Sequence, residues 1–325
     1  MKQQLRLGSE SIPVVNKSFG RAYILFQLVA DTGAGADDST NIDLSKVRIS
    51  IDLKQGGVRE TSSFNAVAPV GLGRLKTISS NFSNALNIDT TTGVTCQGQY
   101  IGDNGAGTNF RTVQVPLLWN GYNLHADDCI TFNIDQIPGL YNASCSAGST
   151  AYLVLEEAND VVQADINLPY YYPITADKNS PSFTVKGASE VMLISNTIKG
   201  NFQDSIFTAL EIRSGSVNDR FDLYTLAQLR YDRAIDLSAP LYESTNVYNV
   251  EPSALHDVQV DLAVNTTSVV DGAQFLFVSK VLFAGEMAYR AIAKHSELQN
   301  KKLSLRGMGQ HNETWAEKVR RKRGY

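Results

Sequence analysis

Val47-Arg48-Ile49-Ser50-Ile51-Asp52-Leu53 places an apolar side chain at every second position and a polar one between. A period of two is that of a half-buried β-strand, whose successive side chains point to opposite faces, and a helix cannot produce it. The same alternation recurs in Ile130, Phe132 and Ile134 against Thr131, Asn133 and Asp135, and in Val258, Val260, Leu262 and Val264 against Gln259 and Asp261. Other runs are apolar on both faces, among them residues 23–30, 152–155, 191–194 and 275–283. Those fit strands in the middle of a sandwich. Clusters of Gly, Asn, Asp, Ser and Thr at 31–41, 102–109 and 142–149 punctuate the strands as turns and loops.

Helical periodicity is confined to short segments. The clearest is 219–235, with Leu223, Leu226, Ala227, Tyr231 and Ala234 on one stripe and Asn218 or Asp219 as cap; a weaker one joins Leu75, Ile78, Phe82 and Leu86. A parallel sheet needs a crossover helix after nearly every strand, so the pattern predicts antiparallel sandwiches, not an α/β fold.

At 325 residues the chain exceeds the size at which one core stops growing, so two domains are expected. The reading is an all-β chain of two consecutive sandwiches, 16–160 and 161–285, with an N-terminal arm over 1–15 and a polar, basic tail over 286–325. The boundary falls near 158–168, where Leu168-Pro169-Tyr170-Tyr171-Tyr172-Pro173 reads as a linker. Residues 294–325 carry nine basic against three acidic residues although the whole chain is at −4, so charge is segregated toward the tail. Lys318, Arg320, Arg321, Lys322 and Arg323 are the residues there suited to nucleic-acid phosphates or anionic lipid headgroups, with a merely solvated end as the other reading.

The three cysteines show no CxxC pair and no zinc spacing, so they read as small hydrophobes, not as a disulfide or metal framework. No apolar run follows the charged start, which predicts no signal peptide, and none reaches the length of a membrane span.

Asp31-Thr32-Gly33-Ala34 resembles the active-site turn of aspartic proteases, but that chemistry needs two carboxylates sharing a proton, and no second Asp-Thr/Ser-Gly follows. Asp31, Asp37, Asp38 and Asp43 could gather a calcium ion, but their spacing matches no EF-hand and a solvated loop accounts for them. Gly102, Gly105 and Gly107 lie between strands, where a hairpin explains them better than a phosphate cradle. The four histidines are scattered. The expectation is no catalytic residue, no metal and no cofactor.

Two successive sandwich-like halves over about residues 16–285, with a charge-distinct terminus, resemble the major capsid proteins of tailless icosahedral bacterial viruses with an internal membrane, the corticovirus, tectivirus and finnlakevirus shells. The resemblance implies a double jelly roll that trimerises into pseudo-hexagonal capsomers of an icosahedral virion. It further implies assembly in the host cytoplasm, and neighbouring capsomers, minor capsid or vertex proteins and an internal membrane or genome as partners. Tyr170, Tyr171 and Tyr172 are candidate interface residues, since Tyr is enriched in interfaces. An all-β receptor- or carbohydrate-binding module such as a fibre head, and an aspartic protease using Asp31, are the alternatives.

Overall fold

The computed structural model describes residues 1–31, 42–55, 58–70, 86–89, 93–96, 98–103, 108–118, 122–124, 128–142, 145, 148–158, 167–195, 206–215, 217–226, 228, 246–248, 257–269, 272 and 274–281. Among them, the first half contains β1 (Lys2–Leu5), β2 (Gly8–Val15), β3 (Ser18–Asp31), β4 (Ile42–Asp43), β5 (Val47–Gln55), β6 (Val58–Asn65), β7 (Leu86–Asp89) and β8 (Gly93–Cys96). It continues with β9 (Gln99–Asp103), β10 (Thr108–Leu118), β11 (Tyr122–Asn123), β12 (Cys129–Gln136) and β13 (Thr150–Glu157). The second half contains β14 (Asn167–Pro173), β15 (Ser182–Lys186), β16 (Ala188–Ser195), β17 (Phe207–Ser214), β18 (Val217–Phe221), β19 (Asn246–Tyr248), β20 (Asp257–Val264) and β21 (Gln274–Val281).

One sheet of the first half runs β1-β13-β3-β10-β9, and the opposing sheet runs β2-β12-β5-β6. The second half repeats this as β14-β21-β16-β19 over β15-β20-β17-β18. Counting principal strands along each half, the two sheets have the orders first-eighth-third-sixth and second-seventh-fourth-fifth in both cases. That winding is a jelly roll. In the first half β9 is added beside β10, β11 pairs with β3, and β4, β7 and β8 form a small separate sheet.

Local sequence explains the alternation. In β5, Val47, Ile49, Ile51 and Leu53 are buried, and across the register Ile130, Phe132 and Ile134 of β12 join them. Ile24, Phe26, Leu28, Val113, Val115 and Leu153 come from the facing sheet into the same core. Val185, Val191, Leu193, Leu210, Ile212, Val258, Val260 and Leu276 form the core of the second jelly roll. Cys96 and Cys145 are buried and Cys129 is half-buried. Gly98 has φ +73°, and a Cβ there would sit 2.7 Å from the Thr112 carbonyl oxygen, so only glycine lets the chain enter β9 so close to β10.

Several expectations are revised. Residues 1–15, read as an arm, supply β1 and β2, which pair with β13 and β12 as the first two strands of the first jelly roll. The Tyr-rich stretch read as a linker is β14, paired with β21 from Asn167↔Val281 to Pro173↔Phe275. Proline fits there because β14 is an edge strand. The helix expected from residue 219 starts later: Asp219–Phe221 belongs to β18, paired with β17. Asp222 is the cap, its Oδ1 accepting from the Thr225 backbone N–H and hydroxyl at 2.8 Å each, and helical residues follow at 223–226. Residues 229–235 lie outside the described residues, as do Leu75, Ile78 and Phe82, whereas Leu86 is in β7.

Candidate functional site

The second jelly roll lays the outer face of its β14-β21-β16 sheet against the first. Along β16, Val191 and Leu193 enter the second core, while Met192 and Ile194 join the first. Along β21, Leu276 and Val278 go one way and Phe275 and Phe277 the other. These runs are apolar on both faces because each face fills a different core.

The receiving element is β6. Its Phe64, Ser62 and Glu60 stand opposite Ile49, Ile51 and Leu53 in the register, on the inward side of the sheet. The Phe64 ring lies 4.8 Å from that of Tyr171, which in turn lies 5.2 Å from Phe277. The Ser62 hydroxyl donates to the Pro169 carbonyl. At the rim, Lys280 Nζ donates to Glu60 Oε1 at 2.6 Å, and the Tyr170 hydroxyl donates to Glu60 Oε2 at 3.0 Å. Both carboxylate oxygens are thus occupied by groups of the other jelly roll. Burial, reinforced by the Glu60 charge, raises the Tyr170 phenol well above its ordinary value, and Tyr172 moves the same way for the same reasons. Tyr170 and Tyr172 stack with centroids 6.4 Å apart, and Tyr172 meets Phe183. The three tyrosines therefore lie at or beside the seam between the two jelly rolls of one chain.

Tyr170 gives the seam an alkaline weakness. A phenol whose folded pKa is raised contributes stability that is complete below its unfolded value near 10 and is lost as pH rises above it, because the unfolded chain releases the proton first. Tyr170→Phe is expected to flatten the fall of unfolding free energy above pH 10. The change is at most about 1.4 kcal/mol per pH unit, the value for one proton, and less in proportion to the phenol's contact with water. Urea titrations from pH 8 to 11 measure it, and an unchanged slope contradicts it.

Asp31 ends β3 opposite Thr108 in β10, and the rest of its motif is outside the described residues. Asp43 accepts from the Ser45 backbone N–H at 3.0 Å, capping a short turn, while Asp37 and Asp38 are outside the described residues. Among the described residues no group of acidic, His or Cys side chains is arranged for a metal. Gly102 lies in β9, which is joined to β10 across residues 104–107. Lys318, Arg320, Arg321, Lys322 and Arg323 are outside the described residues. No described helix is long and apolar enough to cross a membrane. Sequence reasoning missed Glu60 and Lys280, which are 220 positions apart and carry no local signal of each other.

The first jelly roll carries the same outer face. On β3 and β13 the residues there are Tyr23, Leu25, Tyr152 and Val154, all half-buried. Register makes the correspondence specific. In both halves the third strand has a one-residue bulge against the end of the eighth, between Arg21 and Phe19 in one and between Glu190 and Ala188 in the other. Aligning the bulges sets Tyr23 with Met192, Leu25 with Ile194, Tyr152 with Phe275 and Val154 with Phe277.

The fold is thus a tandem double jelly roll, a class defined here by two identical windings and a seam in which one sheet face closes the side of the other sandwich. No protein-family model matches the chain, and no curated protein matches it in sequence. Among solved structures it is similar to the STIV MCP, with TM-score 0.49, 11% identity, and 87% of this chain and 95% of that one covered. The Sulfolobus Turreted Icosahedral Virus structure gives TM-score 0.48, 14% identity and coverage of 87% and 89%. The major capsid protein P2 from Bacteriophage PM2 gives TM-score 0.38, 11% identity and coverage of 86% and 95%.

Proposed function

We propose that this chain is a structural major capsid protein that trimerises into pseudo-hexagonal capsomers of an icosahedral shell. The observation that carries the reading is the repeated sheet face. In the second jelly roll it is buried on the first; in the first jelly roll it presents Tyr23, Leu25, Tyr152 and Val154 in matching positions. A contact that joins one unit to the next in head-to-tail fashion closes into a ring when its rotation permits. Two units per chain make three chains a ring of six. The partners are then other copies first, within the capsomer and between capsomers, with minor capsid or vertex proteins at special positions of a virion assembled in the host cytoplasm. Lys318, Arg320, Arg321, Lys322 and Arg323 supply contacts to phosphate-bearing polyanions inside the shell, either an internal membrane or the genome.

The native chain is expected to sediment at three times 35.5 kDa. Removing residues 318–325 is expected to leave the trimer intact while abolishing salt-sensitive retention on both anionic vesicles and nucleic acid. A monodisperse monomer at every concentration overturns the shell reading, and undiminished retention overturns the role of the tail.

A further inference from the structure

We infer that the contact between copies sets Glu157 of one copy against Asp219 of the next, where the equivalent contact inside the chain holds the Lys280–Glu60 ion pair. The inference rests on the ring proposed above and adds the chemistry of its joints.

Two registers fix the equivalence. The aligned bulges place Glu157, opposite Phe19, in the position of Lys280, opposite Ala188. On the receiving side, β5 and β6 form a hairpin closed at Gln55↔Val58, and β17 and β18 form one closed at Ser214↔Val217, with the same two-residue connection. Counting from those turns puts Asp219, opposite Ile212, where Glu60 stands opposite Leu53. Parity agrees on both sides: Ile212 and Leu53 are buried core residues, so Asp219 and Glu60 share the inward face of their strands.

The charge at one of the two positions is therefore reversed between the two kinds of joint. Inside the chain a cation meets an anion; between copies two carboxylates meet, one of them already paired with the α-amino group of its own Met1. Among the described residues, the ionic groups beside Glu157 are the Met1 α-amino group, 3.5 Å from Glu157 Oε1, and the Arg21–Glu156 pair at 2.8 Å, which satisfies the neighbouring carboxylate. Glu157 is 68% exposed in the single chain, so it meets little cost until a second copy covers it. Opposed like charges in an interface lower affinity, and removing the opposition tightens it. The joints between copies are then weaker than the joint within the chain, and assembly waits on concentration.

The test is sedimentation equilibrium of the whole chain in low salt. Glu157→Lys recreates the ordering of the inner joint, and its trimer is expected to dissociate at a concentration at least tenfold lower than that of the native chain. Glu157→Lys combined with Asp219→Lys opposes two cations and is expected to cancel that gain. An unchanged or weaker Glu157→Lys trimer, or a double variant as tight as the single one, overturns the inference. A native chain that never associates overturns the ring itself, a different result.

Discussion

Phe277→Ala is expected to destabilise both jelly rolls together, by about 3–5 kcal/mol, although the residue belongs to a strand of only one of them. Phe277 is 2% exposed and packs with Tyr171 and the core of the first sandwich, while its neighbours Leu276 and Val278 serve the second. Truncation removes the transfer free energy of a ring and leaves a cavity that rigid sheets on either side fill poorly. Because the cavity opens between the two units, its cost falls on their docking as well as on either fold. Equilibrium unfolding in guanidinium is expected to show one transition in the native chain, followed with equal midpoint by the aromatic and backbone signals. In Phe277→Ala the midpoint moves down. A variant in which the first sandwich keeps its midpoint while the second alone weakens shows that the seam contributes no coupling.

How far this arrangement was legible in the sequence depends on what fills each face. β5, β12 and β20 are half-buried strands with one apolar and one polar side, so alternation identifies them. β16 and β21 read as apolar throughout, which marked them as central, but the sequence does not say that their two faces belong to different cores. β6 was silent. Its inward residues Glu60, Ser62 and Phe64 show no apolar alternation because polar groups across the seam, the Tyr170 hydroxyl, the Pro169 carbonyl and Lys280, satisfy two of them. β14 was misread for a related reason: its prolines signal a connection, and an edge strand tolerates them only because its outer side needs no complete ladder. β1 is four residues, Lys-Gln-Gln-Leu, of which only Leu5 is buried, too little for any periodicity to show. The seam as a whole is a long-range object, and its ion pair joins positions that only the completed winding brings together.

The face repeated on the first jelly roll yields the other large effect. Leu25→Arg is expected to leave the chain folded and to abolish its association. Leu25 lies on β3 opposite Tyr152 of β13, between the buried Ile24 and Phe26, on the side away from the core. Its counterpart Ile194 is fully buried against the first sandwich. In the free chain Leu25 is only half-buried and the guanidinium at position 25 reaches water, so stability falls by about 1 kcal/mol, the usual size of a single substitution. In the joint between copies it occupies the place of an aliphatic core residue, where an unpaired buried charge costs several kcal/mol. Each 1.4 kcal/mol is a factor of ten in affinity, so a loss of about 4 kcal/mol weakens each joint about a thousandfold, and a ring needs three such joints. Ile194→Arg is the control that separates surface from core, because the same change on the buried counterpart is expected to unfold the chain. Sedimentation and circular dichroism decide between them. A Leu25→Arg chain that still forms the native assembly shows that this face meets no second copy, and the ring then has to be closed through some other surface.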